Sequence, residues 1–204
     1  MHAWVRSRYL SEGRTSGRAV KPDWDGQTVV CIASGPSLTE EDCARVKLSG
    51  LRTVVVNTSF RRAPWADILF AFDTKWWKVY GAEARATFPG MKLSGSPMAH
   101  KYGAESPNWF SLFTNSGASA ASIALASGAS KVVLIGYDAS EEEGRKHWHD
   151  DHPAELGNCD SMDNWPYQFR LLAKQAQRRG AEVLNASRRT ELTCFPRVEL
   201  EAVL

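Results

Sequence analysis

Short apolar runs rich in β-branched residues recur along this chain and alternate with segments of helical character. The runs are TVVCIA (28–33), TVVVN (53–57), DILFAF (67–72), the weaker MKLSG (91–95), KVVLIGYD (131–138) and AEVLNAS (181–187). Runs of this kind are typical of parallel strands, which are buried on both faces. Their alternation with helices predicts an α/β, Rossmann-like fold: a single domain with a mostly parallel sheet and helices on both faces.

Helix signals fall between these runs. The segment SLTE at 37–40 has the form of a capping box and predicts a helix from Ser37 to about residue 47. DTKWWKVYG (73–81) predicts a short helix, and NSGASAASIALASG (115–128) predicts a helix of small residues that Gly128 ends. WPYQFRLLAKQAQRRG (165–180) carries an early proline, apolar residues at helical spacing and a final glycine, which together predict the last long helix.

The length of the chain limits the number of domains, and its net charge limits the kinds of partner it can be expected to bind. The chain has 204 residues, enough for one well-buried domain. Residues 1–26 are basic and lack core periodicity, so we interpret them as an N-terminal arm that precedes a nucleotide-binding domain over 27–204. The net charge of +2 does not indicate nucleic acid binding.

Membrane and export signals are weak in this sequence. No apolar run reaches the roughly 18 residues that a membrane helix needs, so we expect no membrane span. The first 26 residues lack an apolar signal core, and the four cysteines form no CxxC pair. A cytoplasmic protein with reduced thiols is therefore expected, with self-association left open.

Polar and glycine residues cluster where the predicted strands end. In folds of this class, ligands bind beyond the carboxyl ends of the strands. This rule selects the stretches 34–37, 57–59 and 115–119, together with Asp73 and Asp138. In ASGPSL the glycine would let a ligand approach the backbone, and the N–H groups of the following helix, with Ser34 and Ser37, would bind phosphate or another anion. A tight turn with a capping serine is the alternative.

The segment HWHDDHP (147–153) concentrates three histidines in a few positions. Its HxHxDH spacing is used by binuclear zinc hydrolases, but these need further histidine ligands downstream and none follows His152. We therefore predict no such metal centre. A single metal held by His147, His149 and His152 stays open, as does a solvated polar loop. A general base is the favoured role, because imidazole titrates near neutrality and an aspartate is adjacent.

The order of these motifs resembles that of the bacterial lipooligosaccharide sialyltransferases. It is also similar to the 6-hydroxymethylpterin pyrophosphokinase-like family. The likeness is carried by VVCIASGPSL, VVVNTSF, NSGASAASIALASGASKVVLIGYD, a histidine-bearing loop and VLNAS, over residues 27 to 195. A closer likeness is to uncharacterised phage and prophage proteins that share HWHxDHP and NAS…LTCFPRV.

The sialyltransferase resemblance implies a cytidine nucleotide or nucleotide-sugar donor, which is a small molecule, and an acceptor hydroxyl whose identity is unknown. It implies that the donor is held by Ser34, Gly35, Pro36, Ser37, Asn57, Ser116, Gly117 and Asp138. It also implies a catalytic histidine in the loop before the last long helix, where His147, His149 and His152 stand. The tyrosines that help the phosphate to leave in that family have only Tyr137 and Tyr167 nearby.

These observations favour a nucleotide-sugar-dependent glycosyltransferase in which His149 or His152 deprotonates the acceptor. One alternative is a pterin-type pyrophosphokinase, which would use a nucleoside triphosphate with magnesium held by Asp73 and Asp138. The other is a phage-encoded nucleotide-binding accessory protein without catalysis.

Overall fold

The computed structural model describes residues 19–150, 153, 156 and 164–204. Its sheet has six strands: β1 (Thr28–Ile32), β2 (Arg52–Val56), β3 (Ile68–Ala71), β4 (Met91–Ser94), β5 (Lys131–Ile135) and β6 (Glu182–Asn185). The helices are α1 (Glu40–Ser49), α2 (Thr74–Thr87), α3 (Ser116–Ala126) and α4 (Trp165–Arg178). Short 3₁₀ helices cover Asn57–Arg61, Pro97–Tyr102 and Leu200–Ala202.

The strands lie in the order β4-β3-β2-β1-β5-β6, and every pair is parallel. The chain builds the sheet outward from β1 to β4 and then returns to place β5 on the free side of β1. The predicted α/β class is thus confirmed, and the sheet is fully parallel. The reversal of strand order falls between β1 and β5, where a doubly wound fold opens a crevice beyond the strand ends.

Two hydrophobic clusters cover the two faces of the sheet because side chains alternate along each strand. Val29 and Cys31 of β1 point to the face that α3 and α4 cover, and Val30 and Ile32 point to the face of α1 and α2. Helix α3 is buried from Gly117 to Ala126. Its alanine, serine and glycine side chains are small, so its backbone lies close to β1, β2 and β5.

Two helix boundaries differ from the sequence prediction. Helix α1 begins at Glu40, and its capping box is formed by Thr39 with Asp42 rather than by Ser37 with Glu40. Helix α2 was expected to be short but continues for 14 residues, because Trp76, Trp77 and Ala84 are all buried against the core.

Part of the predicted arm lies within the described residues. Trp24 is 4% exposed and belongs to the cluster under α3. Its backbone N–H donates to the Ser127 carbonyl at 2.8 Å. Residues 1–18 lie outside the described residues, and the division at residue 26 stays a prediction.

Candidate functional site

A cavity of about 700 Å³ opens at the carboxyl edge of the sheet. This volume falls in the range of small-molecule sites. Residues that follow β1, β2, β3 and β5 form its floor, and the first turns of α2, α3 and α4 form its sides. Those lining residues include Ala33, Ser34, Gly35, Asn57, Phe72, Asp73, Thr74, Lys75, Trp76, Ser96, Thr114, Asn115, Ser116, Gly117, Tyr137, Asp138, Lys146, His147, Leu156, Trp165, Phe169 and Leu192.

Most of the residues predicted from the sequence meet in this cavity. Those that line it are Ser34, Gly35, Asn57, Asp73, Ser116, Gly117, Asp138 and His147. Pro36, Ser37 and His149 are not among the lining residues. His152 lies outside the described residues.

The glycine loop after β1 is packed against the loop after β5. A Cβ atom on Gly35 would lie 2.3 Å from Asp138 Oδ1 and 2.6 Å from the Gly136 carbonyl oxygen. The Gly35 N–H donates to that same carbonyl at 2.8 Å. Gly35 therefore permits the close packing of two protein segments. The sequence interpretation explained this glycine only by the approach of a ligand to the backbone.

Ser37 holds the Asp138 carboxylate. Its backbone N–H donates to Oδ2 at 2.7 Å and its hydroxyl donates to Oδ1 at 2.8 Å. Burial raises the pKa of Asp138, although both bonds from Ser37 favour the ionised form. Asp138 is only 1% exposed, and it ties the glycine loop to the end of β5.

The expected anion site at the N-terminus of the first helix does not fit this structure. The N–H groups of α1 begin beyond Thr39, and the first turn of α1 carries Glu40, Glu41 and Asp42. Three carboxylates at this end of the helix repel an anion. The donors of Ser37 are engaged by Asp138.

The N-terminus of α3 opens onto the cavity instead. Asn115 caps the helix, with its Oδ1 accepting from the Ala118 N–H at 3.0 Å. Tyr137 is 4% exposed, and its hydroxyl donates to the Gly117 carbonyl at 3.1 Å. A Cβ on Gly117 would come within 2.9 Å of the Tyr137 ring. The positive end of the α3 dipole, next to Ser116, favours an anionic group at this wall.

Two polar residues line the opposite wall, beyond β2 and β3. Asn57 has a left-handed backbone with φ of 49°, a conformation that asparagine adopts more readily than most residues. Asp73 precedes α2, and no hydrogen bond from its side chain caps that helix. Partial desolvation raises the pKa of Asp73, and the Lys75 charge lowers it by a smaller amount.

The histidine-bearing loop is bonded to the glycine loop. His147 Nδ1 and Ser34 Oγ lie 3.1 Å apart in a hydrogen bond. The His149 ring stacks on the His147 ring with centroids 4.9 Å apart, and its Nδ1 lies 2.6 Å from the Asp150 carbonyl oxygen. Burial lowers the pKa of His149, with Arg61 and Arg62 adding to this effect and Asp150 opposing it. His147 is thus the described histidine of the segment that faces the cavity.

Several lining residues were missed by the sequence interpretation. Lys75 lies two positions after Asp73 and Lys146 lies one position before His147, and their positive charge could have drawn attention to them. Trp165 and Phe169 reach the cavity only because α4 packs beside α3. Of the tryptophan pair after Asp73, Trp76 lines the cavity, whereas Trp77 is fully buried and its Nε1 donates to the Ala71 carbonyl.

Metal and membrane features were searched within the described part of the chain. There, no group of three His, Cys, Asp or Glu side chains is arranged to hold a metal ion. The single-metal alternative left open by the sequence includes His152, which lies outside those residues. No helix in this part combines the length and the apolar character that crossing a membrane requires.

Comparison with solved structures finds two glycosyltransferases with the same fold. The MAf glycosyltransferase from Magnetospirillum magneticum AMB-1 aligns with 89% of this chain at a TM-score of 0.62 and 14% identity. This chain spans only 35% of that protein. The sialyltransferase CstII from Campylobacter jejuni, in complex with the substrate analogue cytidine-5'-monophosphate, aligns over 85% of both chains at a TM-score of 0.57 and 14% identity.

No family model matches this chain, and no curated protein matches it either. At 14% identity the two structural likenesses establish a shared fold.

Proposed function

We propose that this protein is a glycosyltransferase that uses a nucleotide-activated sugar and a histidine base. The observation that carries the proposal is the meeting of His147, the glycine loop and the α3 N-terminus in one cavity at the switch point of the sheet. A cavity of about 700 Å³ has room for a nucleotide with an attached sugar. The sialyltransferase CstII, which binds cytidine-5'-monophosphate, supports a nucleotide donor for the same fold.

We assign the donor to the floor and the polar walls. Ser34 and Asn57 would bond the nucleoside, and the N–H groups at Ser116 and Gly117 would bind a phosphate oxygen. Lys146 enters the cavity beside His147 and would neutralise charge on the departing phosphate. The packed glycine loop and its partner at the end of β5 would give this donor site its shape. The residues concerned are Gly35, Pro36, Ser37 and Asp138.

The reaction needs one proton acceptor. His147 would take the proton of the acceptor hydroxyl while that oxygen forms a bond to the anomeric carbon of the donor. The bond from this carbon to the phosphate oxygen breaks, and its electron pair leaves with the nucleotide. In this role His147 Nδ1–H would donate to Ser34 Oγ, which leaves Nε2 to take the proton of the acceptor hydroxyl. His149 would act through its stacking on His147 rather than on the substrate.

A magnesium-dependent pyrophosphokinase is the second candidate. It is favoured by the presence of Asp73 and Asp138 in the same cavity, because carboxylates are magnesium ligands. Against it, both oxygens of Asp138 already accept hydrogen bonds from Ser37. A nucleotide-binding protein without catalysis would use the same cavity.

The test begins with a thermal-shift panel of nucleoside monophosphates, triphosphates and sugar nucleotides, each with magnesium or with EDTA. Stabilisation by a sugar nucleotide in EDTA supports glycosyl transfer, whereas stabilisation only by a triphosphate with magnesium supports pyrophosphoryl transfer. The stabilising sugar nucleotide is then assayed for transfer to an acceptor hydroxyl.

His147→Ala should lower kcat by about 10²- to 10⁴-fold and leave donor affinity close to that of the parent. The matched control is His100→Ala, because His100 is exposed on the 3₁₀ helix Pro97–Tyr102 and bonds only locally to the Pro97 carbonyl. Equal turnover in parent and His147→Ala would contradict the assignment of the base. No binding of any nucleotide would contradict the proposed function as a whole.

A further inference from the structure

The loop after β5 reaches the cavity through an exposed and irregular path. Ala139, Glu143 and Gly144 have φ values of 52°, 51° and 76°. The side chains of Glu141, Glu143 and Arg145 are exposed, so little of this segment is buried. Loops of this kind do not hold a side chain in a fixed place without specific anchors.

One residue of the loop, Trp148, is anchored in three ways. Its backbone N–H donates to the Ser34 carbonyl at 3.1 Å. Its indole Nε1 donates to Ser59 Oγ at 3.0 Å. The Arg62 guanidinium lies 3.8 Å from the centroid of its ring, within the range of a cation–π contact.

The partners of Trp148 are themselves fixed to the sheet. Ser59 is fully buried, and its hydroxyl donates to the Ala33 carbonyl at 3.0 Å. Arg62 donates to the Leu38 carbonyl. The anchors therefore come from the segments that follow β1 and β2, which also form the floor of the cavity.

Ser34 connects this anchor to the histidine. Its carbonyl accepts from the Trp148 N–H, and its hydroxyl bonds His147 Nδ1. Two consecutive residues of the loop are thus bonded to the backbone and the side chain of one serine. A loop that lost the Trp148 anchors would also lose the alignment of His147 with Ser34.

We propose that Trp148, held by Ser59 and Arg62, is the positioning residue that fixes the His147 imidazole in the cavity wall. This inference rests on the proposed function for its effect on turnover. It assigns a task to the central residue of HWH, which the sequence pattern left unexplained. Trp148 is not among the residues that line the cavity, so it would act through its neighbour His147.

The first test reads the His147 ring directly and does not require catalysis. Ring nitrogens of ¹⁵N-histidine-labelled protein report which tautomer each histidine adopts, and His147→Ala identifies the His147 signals. The parent should show mainly the tautomer of His147 with its proton on Nδ1, because the proposed base needs Nε2 unprotonated and Nδ1–H can donate to Ser34 Oγ. Trp148→Ala should shift these signals toward the tautomer mixture of a solvent-exposed histidine.

The second test separates positioning from binding. Trp148→Phe keeps an aromatic ring for Arg62 but removes the indole N–H together with part of the ring system, and it should lower kcat by roughly tenfold. Trp148→Ala should lower kcat by about 10²-fold, the loss expected from a displacement of about 1 Å in a catalytic group. The KM for the donor should stay within twofold of the parent in both variants.

A double-mutant cycle checks the anchor itself. Ser59→Ala removes the acceptor of the same indole bond and also the bond to the Ala33 carbonyl, so its effect on kcat should be smaller in the Trp148→Phe background than in the parent. Trp65→Phe is the matched control, because Trp65 is half-buried but is not among the residues lining the cavity. It should leave kcat and the His147 signals unchanged.

Folded Trp148→Ala protein with the parent His147 signals would overturn the inference. So would a loss that falls entirely on the donor KM. If the parent transfers no sugar at all, the proposed function fails, whereas the tautomer measurement still decides whether Trp148 positions His147.

Discussion

Replacing Gly35 with alanine tests how closely the glycine loop and the end of β5 are packed. The added Cβ would lie 2.3 Å from Asp138 Oδ1 and 2.6 Å from the Gly136 carbonyl oxygen, distances that non-bonded atoms do not adopt. The carboxylate is held by Ser37 through bonds of 2.7 and 2.8 Å, and Gly136 is backbone. Relief of the clash therefore requires the loop to shift or the Asp138 bonds to break.

The magnitude follows from these two responses. Forcing an extra methyl group into a packed site costs about 1–3 kcal/mol. Losing one hydrogen bond to a charged group costs roughly 1.5–3 kcal/mol more. With both costs, we expect Gly35→Ala to lower the free energy of unfolding by about 2.5–6 kcal/mol, which corresponds to a decrease in Tm of roughly 5–24 °C for a chain of this size. Valine at this position should be worse, because its Cβ is branched.

Urea denaturation followed by circular dichroism measures this change. The control is Gly50→Ala, where φ is +68° and no atom lies within 4 Å of the added Cβ, so that backbone strain of about 1–2 kcal/mol is the expected cost. In an Asp138→Ala background, Gly35→Ala should cost less, because one of the two clashing groups is gone. A Gly35→Ala protein as stable as the Gly50→Ala control would refute the packing argument.

Two further predictions concern stability. Asp42 is buried, which by itself would raise its pKa, but bonds from Arg188 at 2.8 and 2.9 Å and from Thr39 lower the pKa below its usual value. A lowered folded-state pKa gives stability that is present above about pH 4 and is lost as the pH falls. Asp42→Asn should therefore lower the free energy of unfolding at pH 7 by roughly 1–3 kcal/mol. In acid titrations, the free energy of unfolding of this variant should fall less steeply below about pH 4 than that of the parent. An equally steep fall in parent and variant would contradict this. Deleting residues 1–24 should lower stability by about 3 kcal/mol more than deleting 1–18, through loss of the buried Trp24. Equal Tm values for the two truncations in thermal unfolding would show that Trp24 contributes nothing.

The sequence was least informative about why particular small residues are present. SLTEED (37–42) carries two overlapping capping patterns, one at Ser37–Glu40 and one at Thr39–Asp42. Both satisfy the local rule, so the sequence does not choose between them. The structure uses the second, because Asp138 takes both donors of Ser37. Gly35 and Gly117 are likewise explained by Asp138 and Tyr137, which are distant in sequence.

The sequence by itself determined the element types and the class of the fold. Continuous β-branched runs can be buried on both faces only in a sheet that helices cover twice, and each run ends in the polar residues that the parallel arrangement brings to one edge. That information is local. The hydrophobic periodicity of a segment indicates which of its faces is buried, and a capping pattern depends only on residues a few positions apart.

Only the tertiary structure decided which strand ends are neighbours. The order β4-β3-β2-β1-β5-β6 places Ser34 against His147, 113 residues away, and Ser37 against Asp138, 101 residues away. A hydrophobic pattern does not specify the partner against which a strand is buried, because the hydrophobic effect is non-directional. Pairing, and with it the identity of the histidine that faces the cavity, depends on how the whole chain packs.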